Sequence, residues 1–106
     1  MTINVTPSNL LLREKVEIRD IRNLIKDIHE EWDEVTEALA DFAMEPTSKN
    51  KELLAEELMD LMTASSTCIV ALSRMEGSPE HFIDSIVTKV HCKDYARGYN
   101  DDDMIF

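Results

Sequence analysis

The sequence predicts an all-α fold, and three observations lead to this prediction. Apolar residues recur at spacings of three and four over long stretches, which is the period of an amphipathic helix. No segment shows the alternation of apolar and polar residues that is typical of a strand. The 106 residues include only two glycines and three prolines, so helices can run far before a breaker ends them. We expect one domain over residues 1–106, with a helical core at about 15–99, a short N-terminal segment and an acidic C-terminal tail.

The first long helix is predicted over residues 15–43, where the apolar spacing persists for more than three turns. A helix of about 28 residues is roughly 40 Å long, whereas a compact domain of this size has a radius of gyration of about 13 Å. We therefore expect its apolar stripe to be completed by a partner chain, in a homodimer or a dimer of dimers. Within the stripe, Trp32 is interpreted as core or dimer interface, with nucleobase stacking as the alternative. The stripe consists of Ile18, Ile21, Ile25, Ile28, Trp32, Val35, Leu39 and Phe42.

The second helix is predicted to follow the loop Glu45-Pro46-Thr47-Ser48 and to end near Met75, before Gly77. Ser48 or Asn50 is the expected N-cap. Because the loop is short, the first two helices are expected to pack antiparallel as part of a helical bundle. The apolar face of this helix comprises Leu54, Leu58, Leu61, Met62, Ile69 and Leu72, with Ser65 among them.

A third helix is predicted to begin with Ser78 as N-cap and Pro79 as its first residue. Arg97-Gly98 is the expected stop, and the acidic tail follows at Asn100–Asp103. The apolar residues of this helix are Phe82, Ile83, Ile86, Val87 and Val90.

Composition narrows the classes of function. The formal net charge of -11 and the pI near 4.5 argue against binding to a nucleic acid polymer or an anionic membrane. No apolar run approaches the length of a membrane span, and no basic segment before an apolar run indicates a signal peptide. Cys68 and Cys92 lack CxxC spacing, so we expect free thiols in a cytoplasmic protein. The three histidines form no HxxxH pair, so a zinc site is not expected.

Two acidic segments, Glu30–Glu34 and Glu56–Asp60, give the first indication of function. Each contains carboxylates at i and i+3, which lie on one face of a helix. From Asp27 to Ser48 there are eight acidic residues and no lysine or arginine, so the cationic partners that usually offset such repulsion are absent. Mg²⁺, which prefers oxygen ligands from a few carboxylates, is the expected counter-charge.

Helical-wheel positions select which acids can share a site. Glu31 and Glu34 flank the apolar stripe of the first helix, and Glu57 and Asp60 lie beside that of the second. In an antiparallel pair these four can converge, with Asp27 as an auxiliary ligand one turn away. The ordinary alternative is that acids on amphipathic helices form solvated faces. The acidic residues that the helical wheel directs away from the apolar stripe of their own helix are Glu30, Asp33, Glu37 and Glu56.

A basic stripe, formed by Lys89, Lys93 and Arg97 at i+4 spacing, follows on the third helix, with Tyr95 and Tyr99 close by. Such a stripe can hold two phosphoryl groups, with arginine as a bidentate fork and lysine as a point charge. The alternative is that these cations near a helix C-terminus simply favour the helix dipole and remain solvated.

These segments resemble the all-α nucleoside triphosphate pyrophosphohydrolases of the MazG-like group. Glu31-x-x-Glu34, 22 residues and Glu57-x-x-Asp60 are similar to the ExxE and ExxD signature of that group. The stretches EEWDEVTEAL, LAEELMDLM and KDYARGY are similar to its acidic and closing segments. One departure is His91, where some members carry an asparagine two residues before the lysine.

The resemblance implies Mg²⁺-dependent cleavage of a nucleoside triphosphate between its α and β phosphates, with Mn²⁺ as a substitute ion. The implied metal ligands are Glu31, Glu34, Glu57 and Asp60. Glu34 is expected to orient or deprotonate the water, because it lies farther from the buried stripe and so nearer to solvent, and Glu31 is the second candidate among the glutamates. Lys93 and Arg97 would act on the pyrophosphate leaving group, and Lys89 and Tyr99 are further candidates for substrate binding.

Two alternatives remain open. The chain can be a non-catalytic helical module whose acidic face binds a basic partner, although this does not account for the basic stripe. It can also be a relative with a narrower substrate, such as dUTP, dCTP or phosphoribosyl-ATP, since the residues that read a base follow no spacing rule.

Overall fold

The computed structural model describes residues 16–75 and 78–97, and all regular structure in these ranges is helical. The helices are α1 (Ile18–Met44), α2 (Ser48–Ser73) and α3 (Pro79–Ala96). The predicted all-α class is confirmed, and each helix boundary lies within three residues of its prediction. The predicted breakers Gly77 and Gly98 and the acidic tail lie outside the described residues.

The start of α1 is stabilised by a local hydrogen bond. The backbone N–H of Glu17 donates to Oδ2 of Asp20 at 2.9 Å, and Asp20 is buried although it is charged. A carboxylate in the first turn of a helix also interacts favourably with the positive end of the helix dipole. This cap explains why α1 begins at Ile18 rather than at the predicted position 15.

The turn between α1 and α2 is closed by Thr47 and Asn50. The N-cap of α2 is Thr47, whose Oγ1 accepts a hydrogen bond from the backbone N–H of Asn50 at 3.1 Å. The prediction of Ser48 or Asn50 as the cap was therefore wrong. The cap needs an extended backbone, which Thr47 adopts directly after Pro46, with φ -88° and ψ 161°. Asn50 instead donates its side-chain amide to the carbonyl of Glu45 at 2.9 Å and to that of Asp41 at 3.4 Å.

Helices α1 and α2 pack antiparallel along most of their length. At one end, Val16 and Leu24 form a buried cluster with Cys68 and Ala71 from the end of α2. At the other end, Asn50 reaches the last turn of α1. This pairing confirms the expected direction of the two helices and determines which of their acids face each other.

Helix α3 packs only against α2. Ser78 is its N-cap and Pro79 its first residue, as predicted, although the Ser78 side chain forms no capping hydrogen bond. The described part of α3 makes no contact with α1, and none of its residues is buried. Arg97 ends the helix, with its backbone N–H donating to the carbonyl of Lys93 at 3.0 Å. The basic stripe is therefore carried by a helix that lies beside the α1–α2 pair.

Much apolar surface remains exposed in a single chain. Among the described residues five apolar side chains are buried, whereas 15 large apolar side chains are exposed. Trp32 is 52% exposed, so its interpretation as core is wrong for a single chain, and the dimer-interface interpretation stays a prediction. Eight of the exposed side chains occupy helical-wheel positions of α1 and α2 that lie away from those of Glu31 and Asp60, and we call them the apolar face. They are Ile18, Ile25, Trp32 and Leu39 of α1 and Leu58, Met62, Ile69 and Leu72 of α2.

None of the helices in the described ranges combines the length and the apolar character that a bilayer span requires.

Candidate metal site

Three carboxylates from α1 and α2 meet beside the packing interface. One oxygen each of Glu31, Glu57 and Asp60 lies within 4.8 Å of the other two. Glu57 and Asp60 share a face of α2 because they are three residues apart, and the antiparallel packing brings Glu31 of α1 opposite them. Carboxylate oxygens are the ligands that Mg²⁺ prefers, so the chemistry of this donor set fits a hard divalent cation.

The electrostatics of the three carboxylates are unfavourable without a counter-charge. Burial raises the pKa of Glu31 above its ordinary value of 4.5, and the negative charges of Glu34, Asp60 and Asp27 and hydrogen bonding with Glu34 raise it further. The pKa of Glu57 is also raised, first by hydrogen bonding with Glu34 and then by burial and the charges of Glu34, Asp60 and Glu31. Repulsion of this kind favours either a shared proton or a bound cation.

Two oxygens of this group have no hydrogen-bond partner. Oε2 of Glu31 and Oε2 of Glu57 are shielded from solvent and accept no hydrogen bond within the described structure. A shielded carboxylate oxygen without a donor is costly. A cation between the two helices would satisfy both atoms at once.

Glu34 lies next to this group rather than within it. Its carboxylate neighbours both Glu31 and Glu57, and its side chain is more exposed than theirs. It borders a second cavity of about 180 Å³. The second cavity is lined by Glu34, Glu37, Ala38, Asp41, Asn50, Leu53 and Glu57.

The larger cavity lies on the other side of the carboxylates, and we call it the acidic cavity. Its volume is about 370 Å³. Asp27, expected as an auxiliary ligand, is among its lining residues, and so is Glu30. Glu30 is exposed, in agreement with the helical wheel, which directs it away from the apolar stripe, and it does not belong to the group of three carboxylates. The lining residues are Leu24, Asp27, Glu30, Glu31, Asp60, Thr63, Ala64 and Thr67.

Thr63 and Thr67 were not singled out from the sequence. They follow Asp60 by three and seven residues, so the same periodicity that placed Glu57 and Asp60 together would have found them. Threonine carries no charge and is common in helices, so the sequence alone does not distinguish these two residues. Only the packing of α1 against α2 shows that they border the acidic cavity.

The basic stripe is not brought to the acids within one chain. Lys89, Lys93 and Arg97 are exposed on α3 and form no salt bridge in the described structure. None of the described residues that line the acidic cavity or the second cavity is basic. Tyr99 lies outside the described residues. The role of Lys93 and Arg97 in holding the leaving group therefore stays a prediction.

No family model matches the chain, and no curated protein or solved structure matches it either. The resemblance to the MazG-like group accordingly rests on the motifs quoted above.

Proposed function

We propose that this chain is a Mg²⁺-dependent nucleoside triphosphate pyrophosphohydrolase, which cleaves a nucleoside or deoxynucleoside triphosphate to the monophosphate and pyrophosphate. The observation that supports it best is the group of three carboxylate oxygens within 4.8 Å of one another. The motif resemblance supports the choice of substrate and reaction.

In this proposal Glu31, Glu57 and Asp60 hold the metal ion, with Glu34 as a fourth ligand from the edge of the group. When bound, Mg²⁺ would neutralise charge on the phosphate oxygens and favour ionisation of the attacking water. Mn²⁺ has the same preference for carboxylate oxygens and is expected to substitute. The raised pKa values of Glu31 and Glu57 favour such an ion, because a cation offsets the repulsion that raises them.

Glu34 is the proposed residue that orients or deprotonates the water. Its carboxylate adjoins Glu31 and Glu57 and remains more open to solvent. A general base needs to lie within hydrogen-bond reach of the water while staying close to the ion that polarises it. Glu31 assists by keeping this edge of the site negatively charged.

Lys93 and Arg97 are proposed to neutralise the leaving pyrophosphate, with Lys89 and Tyr99 in supporting contacts. Because α3 makes no contact with α1 in its own chain, we propose that a second copy in a homodimer or a dimer of dimers contributes these cations. This arrangement would bring opposite charges together across the assembly.

The test is pyrophosphate release with Mg²⁺ from a panel of ribo- and deoxyribonucleoside triphosphates. Glu57→Gln and Asp60→Asn are each expected to lower the rate more than about 100-fold, because loss of a metal ligand should exceed the effect of losing a residue that only orients one. Glu56→Gln is the matched control, since Glu56 is the exposed neighbour of Glu57 and borders neither cavity. Circular dichroism checks that all variants stay helical. Activity surviving in both site variants would remove the metal-ligand assignment.

A second candidate function is a non-catalytic module that binds a basic partner through its acidic face. The observation that favours it is that no lysine or arginine of the described residues lines the acidic cavity or the second cavity. Calorimetry separates the two functions: a stable complex with a basic protein, without binding of Mg²⁺ or Mn²⁺, would favour the module.

If the chain is instead a narrow-substrate enzyme, the panel extended with phosphoribosyl-ATP would show one preferred substrate, such as dUTP, dCTP or phosphoribosyl-ATP.

A further inference from the structure

Six charged residues of α1 form a single stripe along the helix, which we call the charged stripe. Its members follow one another at intervals of three or four residues, so they share one side of α1, and all of them are exposed. The first three are basic and the last three are acidic. No lysine or arginine of α1 follows Lys26, so the sign of the charge divides the helix into two halves. The charged stripe consists of Arg19, Arg22, Lys26, Glu30, Asp33 and Glu37.

The charged stripe lies beside the apolar face. On a wheel of 100° per residue, it is centred about 110° from the residues that α1 contributes to the apolar face. It is also on the side of α1 away from the buried residues Leu24 and Val35, and the buried side of α1 is the one that packs against α2. A partner that covers the apolar face therefore meets the charged stripe at the rim of the contact.

Most of the charged stripe has no partner of opposite sign on another helix of its own chain. Arg19 forms a salt bridge with Glu17, with Nε and Oε2 3.1 Å apart. Arg22, Lys26 and Asp33 form no salt bridge in the ranges that the structure describes. Arg22 and Asp33 are separated by 11 residues, which is about 17 Å along the axis, so they do not reach each other within one chain.

The apolar and the charged patterns of α1 are self-complementary about the same point, near residue 28. Ile25 mirrors Trp32 and Ile18 mirrors Leu39 about this point, and Arg22 mirrors Asp33. An interface between identical copies brings the same patch of both subunits together about a two-fold axis. With the axis across α1 at this point, apolar residues meet apolar residues and the basic half of one helix meets the acidic half of the other.

A parallel pair of α1 helices would bring like charges together instead. Each residue would then lie opposite its own copy, with acidic half against acidic half, and such juxtaposition is unfavourable. Charges that flank an apolar seam set the orientation of paired helices in this way. The charges of α1 therefore select the antiparallel arrangement.

The apolar face is large enough for such a contact. Ile18 and Leu39 are separated by about 32 Å along α1, and packed helices lie about 8–10 Å apart, so the two helices present an area of roughly 30 Å by 20 Å. This area approaches the roughly 800 Å² per partner that a stable interface buries.

We infer that two copies of this chain pair through their apolar faces with their α1 helices antiparallel, about a two-fold axis near residue 28, so that Arg22 of one copy lies opposite Asp33 of the partner subunit. Ile25 of one copy packs against Trp32 of the partner subunit at the centre of the contact. This pairing requires neither a metal ion nor hydrolysis of a nucleotide.

Reversal of single charges tests the orientation. In the antiparallel pair, Arg22→Glu brings carboxylates together and Asp33→Arg brings cations together. Each variant is expected to raise the dissociation constant of the dimer about 10-fold at low salt, because an exposed pair is weak but occurs twice in a symmetric dimer. The double variant Arg22→Glu/Asp33→Arg restores opposite charges and is expected to associate like the wild type. Sedimentation equilibrium measures all four proteins.

Lys49→Glu is the matched control for Arg22→Glu. It makes the same change of charge at an exposed position of α2, on the side of that helix away from Leu58, and is expected to leave association unchanged. Circular dichroism checks that the variants stay helical. In a parallel pair both single variants would associate like the wild type, and this result would overturn the inference. A wild type that sediments as a monomer would overturn it as well.

Nitroxide spin labels measure the orientation directly. Labels on Ala40→Cys are expected to lie about 36 Å or more apart, since pairing about residue 28 separates the two copies of position 40 by about 24 residues of helix. Labels on His29→Cys are expected to lie much closer together, because residue 29 is next to the axis. Both variants carry Cys92→Ser, since Cys92 is exposed whereas Cys68 is buried in the core. Electron paramagnetic resonance measures the distances.

Equal, short distances at both labelled positions would overturn the inference, because parallel helices or a contact of α1 with α2 of the partner place both copies of a residue at the same height. Neither measurement uses a nucleotide or a metal ion. Pyrophosphate release by a protein with such distances would reject the antiparallel pairing and leave the hydrolase intact. Distances that agree with antiparallel helices, in a protein that releases no pyrophosphate, would reject the hydrolase and leave the pairing in place.

Discussion

Adjacent acidic residues on α2 have different surroundings. Glu56 is exposed to solvent, whereas Glu57 is half-buried beside α1, and the pKa of Glu57 is raised chiefly by hydrogen bonding with Glu34. A rotation of 100° around the helix axis separates the two side chains. The chemical role of a carboxylate in this protein is therefore set by the element that it faces.

The raised pKa values predict how stability depends on pH. The folded state binds protons at Glu31 and Glu57 more tightly than the unfolded state does, because their folded pKa values lie above the ordinary 4.5. Their contribution to stability is therefore greatest at low pH and decreases as pH rises from 4.5 through the raised values. We expect Glu31→Gln to raise the melting temperature of the metal-free protein more at neutral pH than at about pH 4.

The measurement is thermal unfolding in a chelator over a pH series, read as the difference between the wild type and Glu31→Gln. The difference removes the contribution of carboxylates elsewhere in the chain. Glu56→Gln serves as the control and is expected to show a smaller difference. A difference that does not change with pH would contradict the assigned environment of Glu31.

Metal binding predicts a second effect at the scale of the residue. A ligand that binds only the folded state at a hundred times its dissociation constant stabilises that state by about 2.7 kcal/mol. We expect Mg²⁺ at such an excess to raise the melting temperature of the wild type, and Asp60→Asn to lose most of this increase. An equal increase in both proteins would place the ion elsewhere.

The turn between α1 and α2 determines the register of the two helices. Thr47 caps α2, while Asn50 donates to the carbonyl of Asp41 in the last turn of α1 and to that of Glu45, the residue that follows α1. A shift of one residue in α2 would rotate its side chains by 100°. The placement of Asp60 opposite Glu31 therefore depends on hydrogen bonds made at the far end of the helix pair.

Substitutions in the turn are expected to reduce stability. Thr47→Ala removes the cap and should cost about 1 kcal/mol. Asn50→Ala removes the donor to two carbonyls and should cost about 1–2 kcal/mol. Ser48→Ala is the control, because Ser48 is exposed and its side chain makes no capping bond. Urea unfolding measures the free energy of unfolding of all three variants. An equal loss of stability in Ser48→Ala would show that the effect is not specific to the capping hydrogen bonds.

At the scale of the whole molecule, the apolar face leaves eight large apolar side chains exposed to solvent in a single chain. A single chain leaves Trp32 52% and Leu39 53% exposed, in a stripe with Ile25 and Ile18 at intervals of seven residues. Large exposed apolar patches often mark an interaction surface. A second copy is the proposed occupant, in agreement with the overhang argument from the length of the first helix.

Association through the apolar face makes a prediction about mass. Trp32→Asp places a charge within this face and is expected to shift the protein to a smaller species in sedimentation at micromolar concentration, since an unpaired buried charge is costly. Ala40→Asp, at an exposed position off the face, is expected to keep the mass of the wild type. A wild type that sediments as a monomer would reject the assembly, and with it the proposed source of Lys93 and Arg97.

Much of the fold could be predicted from the sequence because helical periodicity is local information. The three helices, their approximate ends and Pro79 at the start of α3 all follow from spacing and from residues with strong backbone preferences. The candidate metal ligands Glu31, Glu57 and Asp60 followed from helical-wheel positions, which rest on the same periodicity. The cap at Thr47 was missed because several small polar residues in the loop can satisfy a helix end.

The sequence by itself determined that this chain is helical, strongly acidic and equipped with carboxylates at helical spacing beside apolar stripes. Only the tertiary structure decided that Glu31, Glu57 and Asp60 share one space, that Thr63 and Thr67 line the same cavity, and that Trp32 and the basic stripe lie elsewhere. The physical reason is that periodicity specifies which face of a helix a residue occupies, whereas the packing of a second helix decides what that face meets.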